Sequence, residues 1–309
     1  MPYGIDSYLE GNNRRESLLS ILKDVSPNTD NYFVSNLGSA PAATNTLHEW
    51  VTYNTARPTS VTTAIEGAAA TYGDLTAPLR TNNVTAITVE PVRVSGTLRA
   101  ISTSTGQDPY VFQKAQAIKR LKANMEYLTV NGVFASGSSG VARVLSGIDG
   151  MISTNVTARV SGTSFTEVEL NNMMQDSWAQ VGAEYVADLI VCPMIISRRI
   201  SGFTSNLTRF IVAKEKRLTN QVRVYDSQVG QSVMIIPHKD VRNAAGTGTV
   251  YALREDTFKH AFLTGREPMY EDLAVDGDRS NGQYITEFTV VSLAQRASAK
   301  RTGYDMLNL

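Results

Sequence analysis

The stretch DPYVFQKAQAIKRLKANMEYLTVNG, residues 108–132, predicts one long α-helix whose two ends are both marked in the sequence. Asp108 is a typical N-cap, and Pro109 occupies the first helical position, where a missing N–H costs no hydrogen bond. Asn131 and Gly132 are expected to end the helix with a left-handed residue. At 1.5 Å per residue this helix is roughly 35 Å long, about the width of a small domain.

Apolar residues recur along this helix at steps of three and four positions. They are Phe112, Ala115, Ile118, Leu121, Met125 and Leu128. The polar residues on its other faces include Gln113, Lys114, Lys119, Arg120 and Lys122. The pattern predicts a helix that packs along a single stripe.

The region before the helix has few apolar residues of its own. Residues 27–46 are small and polar, and their large apolar side chains are Tyr32, Phe33, Val34 and Leu37. This composition is typical either of a flexible tail or of an ordered arm laid over another surface. We expect an arm, and we expect neighbouring copies of the chain to complete the N-terminal third.

Two strand candidates follow, at residues 47–55 and 84–101. Pro91 in the second one indicates an edge position or a bend. About 28 residues separate the two strands, far more than a hairpin needs. Ile65, Tyr72 and Leu75 are too few to form a core within that loop. The sequence therefore predicts a projecting two-stranded flap that lies on an adjacent subunit.

Helices and strands alternate in the second half of the chain. Thr166 is expected to cap a second amphipathic helix closed by Gly182, with Met173, Met174 and Trp178 in the core. The run ADLIVC, residues 187–192, predicts a strand buried on both faces, and Pro193 opens a further helix. Later strand candidates are residues 221–225, 232–236, 250–253, 258–263 and 283–293. The last is expected to return to the sheet beside the long helix.

Composition excludes several functional classes. Of the 309 residues, 29 are Lys or Arg and 29 are Asp or Glu, so the net charge gives no reason for tight nucleic-acid binding. Weak, non-specific contact with DNA remains compatible with this balance. Cys192 is the only cysteine, which excludes an intrachain disulfide and a thiolate zinc cluster. The N-terminus lacks the apolar core of a signal peptide, and no apolar run is long enough for a membrane span.

Motifs for catalysis and cofactor binding are weak. His48, His238 and His260 lack metal-ligand spacing, and Ser138 is not in a nucleophile elbow. Residues 246–248, Gly-Thr-Gly, lack the third glycine and the helix of a dinucleotide loop. We therefore predict no catalytic, cofactor-binding or metal-binding residues, and a protein that is not an enzyme.

Residues 276–282, DGDRSNG, partly match a calcium loop with Glu287 at its twelfth position. Asn281 replaces the glycine of such a loop, and a strand pattern follows in place of the exiting helix. The preferred interpretation is a hairpin tip.

The order of parts, and several local motifs, resemble the major capsid proteins of tailed bacteriophages, which share the Hong-Kong-97-type shell fold. The order is a polar arm, a long two-stranded flap, a capped spine helix, a compact α/β unit and a late strand back to the spine. The motifs are PNTDNYFVSNLG (27–38), TLHEW (46–50), EGA (66–68), RTNN (80–83) and VSGT (94–97). Related capsid proteins often carry a glutamine where the flap returns, whereas this chain has Asn83-Val84.

The resemblance implies an α+β fold with four parts. These are an N-terminal arm (1–46), an extended two-stranded loop (47–102), a peripheral domain (103–164 and 267–309) with the spine helix 108–131, and an axial domain (165–266). It also implies that pentamers and hexamers of the chain form an icosahedral shell around a double-stranded DNA genome. Such a virion protein is assembled in the host cytoplasm with scaffolding, portal and decoration proteins, and it needs no cofactor.

Candidate site residues follow from this resemblance. Intersubunit contacts are expected from Trp50, Glu66, Tyr72, Arg80, Arg93, Asp276 and Asp278. Non-specific contact with packaged DNA is expected from Lys119, Arg120 and Lys122 on the spine, and from Lys214, Lys216 and Arg217 in the axial region. The alternative for each charged residue is that it lies on the surface, surrounded by water, and contacts neither another subunit nor DNA.

Three other functions remain open from the sequence. An encapsulin-type compartment has the same fold but encloses an enzyme in place of a genome. A phage tail or adhesion protein is suggested by the Thr- and Ser-rich strands, and it predicts trimers or fibres. An enzyme is the weakest alternative.

Overall fold

The computed structural model describes residues 31–53, 63–69, 77–101, 108–203, 224–228, 230–241, 243–244 and 246–306. Within these residues the chain forms a five-stranded sheet, a seven-stranded sheet, a two-stranded sheet and six α-helices. No helix in the described ranges combines the length and the apolar character needed to cross a bilayer. The candidates Tyr72, Lys214, Lys216 and Arg217, and the first part of the predicted arm, lie outside the described residues.

The helices are α1 (Tyr32–Asn36), α2 (Gly96–Ala100), α3 (Pro109–Asn131), α4 (Ile148–Met151), α5 (Glu167–Val181) and α6 (Met194–Ser201). Short 3₁₀ turns occupy Ala183–Tyr185, Glu255–Thr257 and Gln295–Ala297. The strands of the N-terminal half are β1 (Gly38–Ser39), β2 (Leu47–Thr52), β3 (Leu79–Val84), β4 (Ala86–Ser95) and β5 (Val156–Thr163). Those of the C-terminal half are β6 (Leu189–Cys192), β7 (Val224–Asp226), β8 (Ser232–Pro237), β9 (Asn243–Ala244), β10 (Thr247–Leu253), β11 (Phe258–Phe262), β12 (Met269–Asp272), β13 (Arg279–Ser292) and β14 (Ala299–Asp305).

The spine helix α3 begins as predicted and ends differently. Oδ1 of Asp108 accepts a hydrogen bond from the backbone N–H of Tyr110 at 2.8 Å, which caps the helix. Gly132 follows the last helical residue with φ −52°, so the predicted left-handed stop is wrong. A Cβ on Gly132 would lie 2.5 Å from the Leu145 carbonyl oxygen and 2.6 Å from that of Leu128. Glycine is needed here because the backbone of a later segment packs directly on the helix end.

The predicted apolar stripe of α3 is only partly the buried face. Leu121 and Met125 are buried, but Ala115 is exposed. Phe112, Ile118 and Leu128 are half-buried. The remaining buried positions of the helix are Tyr110, Ala117, Glu126, Thr129 and Val130. Two of them are polar residues that form specific hydrogen bonds, and a pattern of apolar residues cannot reveal such positions.

The five-stranded sheet is built around the long strand β13. One edge of β13 pairs with β4, and its other edge pairs first with β12 and then with β11, which carries the short arm strand β1. The late strand predicted at 283–293 is therefore confirmed, and it begins earlier, at Arg279. In the described residues β4 pairs with β13 alone, so Pro91 lies on an edge strand as predicted. The spine helix packs on β4 and β13.

The strands of the flap differ from the prediction. β2 pairs antiparallel with β3, from Leu47 opposite Val84 to Thr52 opposite Leu79. The predicted partner, residues 84–101, instead forms β4 in the five-stranded sheet and then helix α2. The returning strand was missed because Arg80-Thr81-Asn82-Asn83 is polar, so it shows no alternation of apolar and polar residues.

The sequence predicted four strands of the seven-stranded sheet, β6, β7, β8 and β10, and did not predict β5, β9 and β14. The strand order of this sheet is β5-β14-β10-β6-β8-β7, with β9 paired on β10, and all four residues of β6 are buried. Helix α5 begins with the Thr166 hydroxyl accepting from the N–H of Glu169, and it ends at Gly182 with φ +76°. Met173 and Met174 are in the core as predicted, but Trp178 is 48% exposed, so its core assignment is wrong.

The two large sheets do not follow the predicted limits of the axial region. β5 and β14, outside residues 165–266, belong to the seven-stranded sheet, whereas β11, inside that range, belongs to the five-stranded sheet. One apolar cluster joins the two sheets. It contains Leu121 and Met125 of the spine, Leu189 and Tyr251 of the seven-stranded sheet, and Phe288 of the five-stranded sheet. The spine helix therefore packs where both sheets meet.

The described part of the arm packs against the rest of its own chain. Phe33 in α1 is 1% exposed and belongs to the cluster that joins the two sheets. Both carboxylate oxygens of Glu126 on the spine accept hydrogen bonds from the arm, from the N–H of Phe33 and the N–H of Val34, each at 2.8 Å. The expectation that only neighbouring copies complete the arm is therefore wrong for this part of the chain.

The same carboxylate also binds a buried histidine. Nε2 of His238 lies 2.7 Å from Oε1 of Glu126, and Nδ1 of His238 accepts from the N–H of Asp240 at 3.1 Å. Since Nδ1 is an acceptor, the proton is on Nε2 and is donated to Glu126. Glu126 thus collects three donors in a site with no solvent exposure, and these bonds offset the cost of burying its charge.

Replacing Glu126 with glutamine tests this attachment of the arm. The amide presents an N–H₂ group to donors that need an acceptor, so we expect the free energy of unfolding to fall by about 2–4 kcal/mol. The measurement is chemical denaturation of the unassembled protein. The control is Glu184→Gln at an exposed position, for which a change within about 0.5 kcal/mol is expected. Equal stability of the two variants would contradict the role of Glu126.

Candidate functional site

The extended loop is defined here as residues 47–84, of which the structure describes the two strands β2 and β3 and residues 63–69. Its strands β2 and β3 pair with each other and with no other strand in the described residues. Several of its apolar side chains are uncovered: Val51 is 63% exposed, Tyr53 56% and Leu79 68%. A two-stranded ribbon of this kind is marginal alone in water, so the exposed apolar surface indicates a binding partner.

The described tip of the extended loop, residues 63–69, is exposed throughout. Ile65 is 85% exposed, and its carbonyl accepts a hydrogen bond from the N–H of Ala68 at 3.0 Å. Gly67 has φ +82°, a left-handed conformation that glycine adopts without strain. This tight turn presents an apolar side chain and the Glu66 carboxylate side by side. Glu66 therefore lies at a position suited to contact another molecule.

Asn83 anchors the base of the extended loop and is fully buried. Its Nδ2 donates to the carbonyls of Ser146 (3.0 Å) and Val290 (2.9 Å). Its Oδ1 accepts from the N–H of Val84 (2.9 Å) and the N–H of Ser146 (2.8 Å). The four hydrogen bonds of the Asn83 side chain are all to groups of its own chain.

A buried ion cluster lies beside this anchor. The side chain of Glu287 in β13 is 4% exposed and accepts hydrogen bonds from the Thr85 hydroxyl and from Nη2 of Arg143, each at 2.7 Å. Arg266 approaches the same carboxylate, with Nε 3.5 Å from Oε2. Nε of Arg143 also donates to the carbonyl of Thr85 at 3.3 Å.

These contacts fix one end of the extended loop. Asn83 and Thr85 flank the point where the loop re-enters the body, and each is bound to β13 and to the segment that follows the spine helix. Because Asn83, Thr85 and Glu287 are buried and hydrogen-bonded, the direction in which the loop leaves the rest of the chain is held firmly. The site combines a rigid base with an exposed strand pair and tip.

Two predicted contact residues lie in the strands of the extended loop. Nε1 of Trp50 donates to the carbonyl of Ser292 at 2.8 Å, so this half-buried side chain already contacts its own chain. Arg80 pairs with Glu49 across the strands at 3.4 Å, and its side chain is 71% exposed. An exposed pair of this kind contributes only about 0–1 kcal/mol. Arg80 therefore remains accessible to another subunit.

The other predicted contact residues cluster at the turn between β12 and β13. Asp276 forms ion pairs with Arg279 (2.8 Å) and Arg93 (3.8 Å). A hydrogen bond from Asn281, with the two arginines, holds the pKa of Asp276 below its usual range despite partial desolvation. Asp278 is exposed, and its backbone carbonyl accepts from the N–H of Gly96 at 3.1 Å. The predicted hairpin tip is confirmed by the pairing of β12 with β13.

The calcium alternative for this turn does not fit the structure. Glu287, which would supply the last ligand, is buried in β13 and bound to Arg143 and Thr85. Within the described ranges, no three His, Cys, Asp or Glu side chains come together as a metal site would require.

The three predicted DNA-facing residues share the spine helix but differ in their surroundings. Nε of Arg120 pairs with the Glu90 carboxylate at 3.2 Å, so its charge is largely compensated. Lys122 is exposed, and Lys119 is half-buried. Contact between these residues and DNA stays a prediction.

Sequence reasoning did not identify the anchoring residues Glu287, Arg143 and Thr85. Their partners lie 58 to 202 residues apart in the chain, and no local spacing links them. The one available signal was Glu287 itself, a carboxylate within the largely apolar run of β13. A charge at such a position requires a buried partner.

The chain is similar to known capsid proteins in sequence and in fold. A family model described as SU10 major capsid protein matches residues 5–305. A search of curated protein sequences gave no match.

Solved structures similar to the chain include capsids and an encapsulin. The capsid of a native GTA particle has a TM-score of 0.64 at 11% identity and covers 96% of this chain and 97% of its own. The holo-SrpI encapsulin complex from Synechococcus elongatus PCC 7942 has a TM-score of 0.59 at 12% identity, covering 99% and 98%. The capsid of Myoviridae phage XM1 has a TM-score of 0.56 at 12% identity, covering 93% and 96%.

The Asn83 anchor gives a prediction for the base of the extended loop. Asn83→Asp keeps the shape of the side chain but places a carboxylate against the carbonyls of Ser146 and Val290. We expect the free energy of unfolding to fall by at least about 2 kcal/mol, measured by chemical denaturation. Asn82→Asp, at the exposed neighbouring position in β3, is the matched control and should be close to wild type. Similar losses in both variants would argue against an anchoring role.

Proposed function

Since this chain belongs to the SU10 major capsid protein family, we propose that its copies assemble as pentamers and hexamers into a closed icosahedral shell. The chain is a phage-type major capsid protein, as the sequence resemblance predicted. Its fold is the predicted α+β fold of the Hong-Kong-97 type, shared with capsids and encapsulins. Its role is structural, and the protein is located in the shell of the virion.

The observation that carries the assembly proposal is the extended loop. It is anchored in its own subunit at Asn83, yet Val51, Tyr53 and Leu79 have no cover there. A second copy supplies that cover if the loop lies across the adjacent subunit. Such a contact joins two different surfaces, so it repeats head to tail and closes into rings.

The strength of the shell comes from many repeated contacts. Obligate assemblies bury on the order of 2,000–5,000 Å² per interface, and each further contact in a closed ring is effectively intramolecular. The exposed charges then act mainly on the register and the specificity of the contacts between subunits. These charges are Glu66, Arg80, Arg93, Asp276 and Asp278. Their individual contributions to affinity are small.

We also propose a division of the chain into parts. Residues 1–46 form the arm and 47–84 the extended loop, which is shorter than the 47–102 expected from the sequence. The five-stranded sheet and the spine helix are the core of the peripheral domain, and the seven-stranded sheet is the core of the axial domain. The axial domain surrounds the fivefold and sixfold axes, and the turn at 273–278 lies near the threefold axes.

The proposed contents of the shell are double-stranded DNA. Lys119, Arg120 and Lys122 on the spine are the candidates for contact with it, and the balanced net charge implies weak, non-specific binding. Scaffolding, portal and decoration proteins are the further partners proposed, with assembly in the host cytoplasm.

An encapsulin-type compartment is the second candidate function. The observation that favours it is the similarity to the encapsulin of Synechococcus elongatus over 99% of this chain. Both kinds of shell use the same fold, so the contents of the particle distinguish them. The family match favours the phage shell.

Nuclease treatment of particles purified from their natural source separates the two functions. A phage shell is expected to protect double-stranded DNA from digestion until the particle is opened by heat. Particles that contain a defined protein and no protected DNA would instead support the compartment. Disrupted particles, in which the DNA should be digested, are the control.

Deleting residues 62–78 tests the role of the extended loop in assembly. The anchors Asn83 and Glu287 remain, so we expect a folded protein that forms monomers or capsomers but no closed shells. Sedimentation and electron microscopy measure the outcome. Replacing the same residues with a Gly/Ser segment of equal length is the control for loop length and should also fail to assemble. Full-size particles of unchanged thermal stability would contradict the proposal.

A further inference from the structure

Two buried histidines lie beside the carboxylate that holds the arm. Nε2 of His238 is 2.7 Å from Oε1 of Glu126, and the His238 ring packs on the arm residue Phe33 with ring centroids 5.4 Å apart. His260 lies in β11, which pairs with the arm strand β1, and its carbonyl accepts from the N–H of Ala40 at 2.7 Å. Each histidine is 4% exposed. The arm therefore lies against both histidines.

The hydrogen bonds of His260 fix the neutral form of its ring. The Thr129 hydroxyl donates to the carbonyl of Met125 at 2.8 Å, so its oxygen accepts from Nε2 of His260 at 3.0 Å. The proton of the neutral ring is therefore on Nε2, and a second proton would bind to Nδ1. Among the described residues no hydrogen-bond acceptor reaches Nδ1. A charged His260 would thus hold an N–H without a partner in a site closed to water.

The surroundings of His260 do not compensate a positive charge fully. Burial lowers the pKa of His260 to about 4, and the nearby Glu126 carboxylate on the spine helix opposes this effect only in part. From β13 the ring of Phe288 faces His260 at 5.7 Å, and β1 contributes backbone. The other titratable group at this site is His238, whose Nδ1 already accepts from the N–H of Asp240. His260 is therefore neutral at neutral pH while the arm is bound.

The arm is attached by a small number of contacts that can open together. Helix α1 has five residues and β1 has two. The helix is fixed by the buried side chain of Phe33 and by two backbone hydrogen bonds to Glu126. Elements this short do not persist without such contacts. Their release admits water to His260, whose pKa then returns toward its ordinary value of 6.5.

We propose that the arm is an acid-sensitive latch, in which uptake of a proton by His260 is coupled to release of α1 and β1 from the rest of the chain. With the arm released, His260 binds a proton below about pH 6.5, whereas the bound arm prevents this until about pH 4. The attachment is therefore strongest above pH 6.5 and weakens as the pH falls toward 4. The equilibrium constant for release should be roughly 30-fold larger at pH 5 than at pH 7.5.

Amide hydrogen exchange of the unassembled, full-length protein at pH 7.5 and pH 5 tests the latch. After correction for the intrinsic pH dependence of exchange, the opening constants at Phe33, Val34 and Ala40 should be roughly 30-fold larger at pH 5. The opening constant at Val191, in the buried strand β6, should not increase. An equal increase at Val191, or no increase in the arm, would overturn the proposal.

Two variants identify the group that binds the proton. His260→Gln retains a donor for the Thr129 oxygen but does not titrate, so the acid response of the arm should fall below about threefold. His48→Gln, on β2, is the matched control and should keep the full response. Glu255, which accepts a hydrogen bond from Tyr32 of the arm at 3.1 Å, is present in both variants. A full response in His260→Gln would overturn the assignment to His260.

The reciprocal measurement covers a failure of His260→Gln to fold. The chain has three histidines, so their ring signals can be resolved by NMR of protein with ¹³C-labelled histidine. Because coupling is reciprocal, Phe33→Ser, which weakens the arm attachment, should raise the pKa of His260 from about 4 toward 6.5. Ser35→Ala, at an exposed position of α1, is the control and should leave that pKa unchanged. No rise in the Phe33→Ser variant would overturn the coupling.

Discussion

The buried contacts at the base of the extended loop constrain the rest of the molecule. Asn83 joins β3 to the segment after the spine helix and to β13, and Glu287 joins β13 to Thr85 and Arg143. The side chains of Asn83, Thr85 and Glu287 are buried, and hydrogen bonds away from water are strong and costly to lose. The loop therefore leaves the body in a set direction. A shell needs this property, since small errors in direction would accumulate from one subunit to the next.

The body itself is nearly self-sufficient. The two sheets share an apolar cluster with the spine helix, and the arm is held by Phe33 and by the Glu126 carboxylate. Within the described residues, the extended loop is a surface that still lacks cover, because Val51, Tyr53 and Leu79 are exposed there. This division suits a major capsid protein, because a subunit can fold first and then bind its copies through surfaces that play no part in its own core.

The sequence predicted the parts of the fold that depend on local chemistry. The cap at Asp108, the buried run at 189–192 and the turn at Gly182 all appear where expected, because each signal lies within a few residues of its effect. The strand Leu79–Val84 was missed since its polar residues carry no alternation. The arm was expected to need neighbouring copies because the sequence does not reveal its partner within the chain. That partner, Glu126, lies 93 residues from Phe33, on a buried helix face that the spacing of apolar residues cannot show. Contact between Glu66 and another subunit stays a prediction, whereas the anchor at Glu287 depends on contacts that only the folded chain reveals.

Amide hydrogen exchange on unassembled subunits and on closed shells tests the central claim most directly. We expect the backbone amides of Phe33, Val34 and Val84 to be protected in both states, because their acceptors lie within the same chain. The amides of residues 63–69 should exchange freely in subunits and become protected in shells, where a second copy covers them. Arm amides that become protected only on assembly, or a loop tip that exchanges equally fast in both states, would contradict the account.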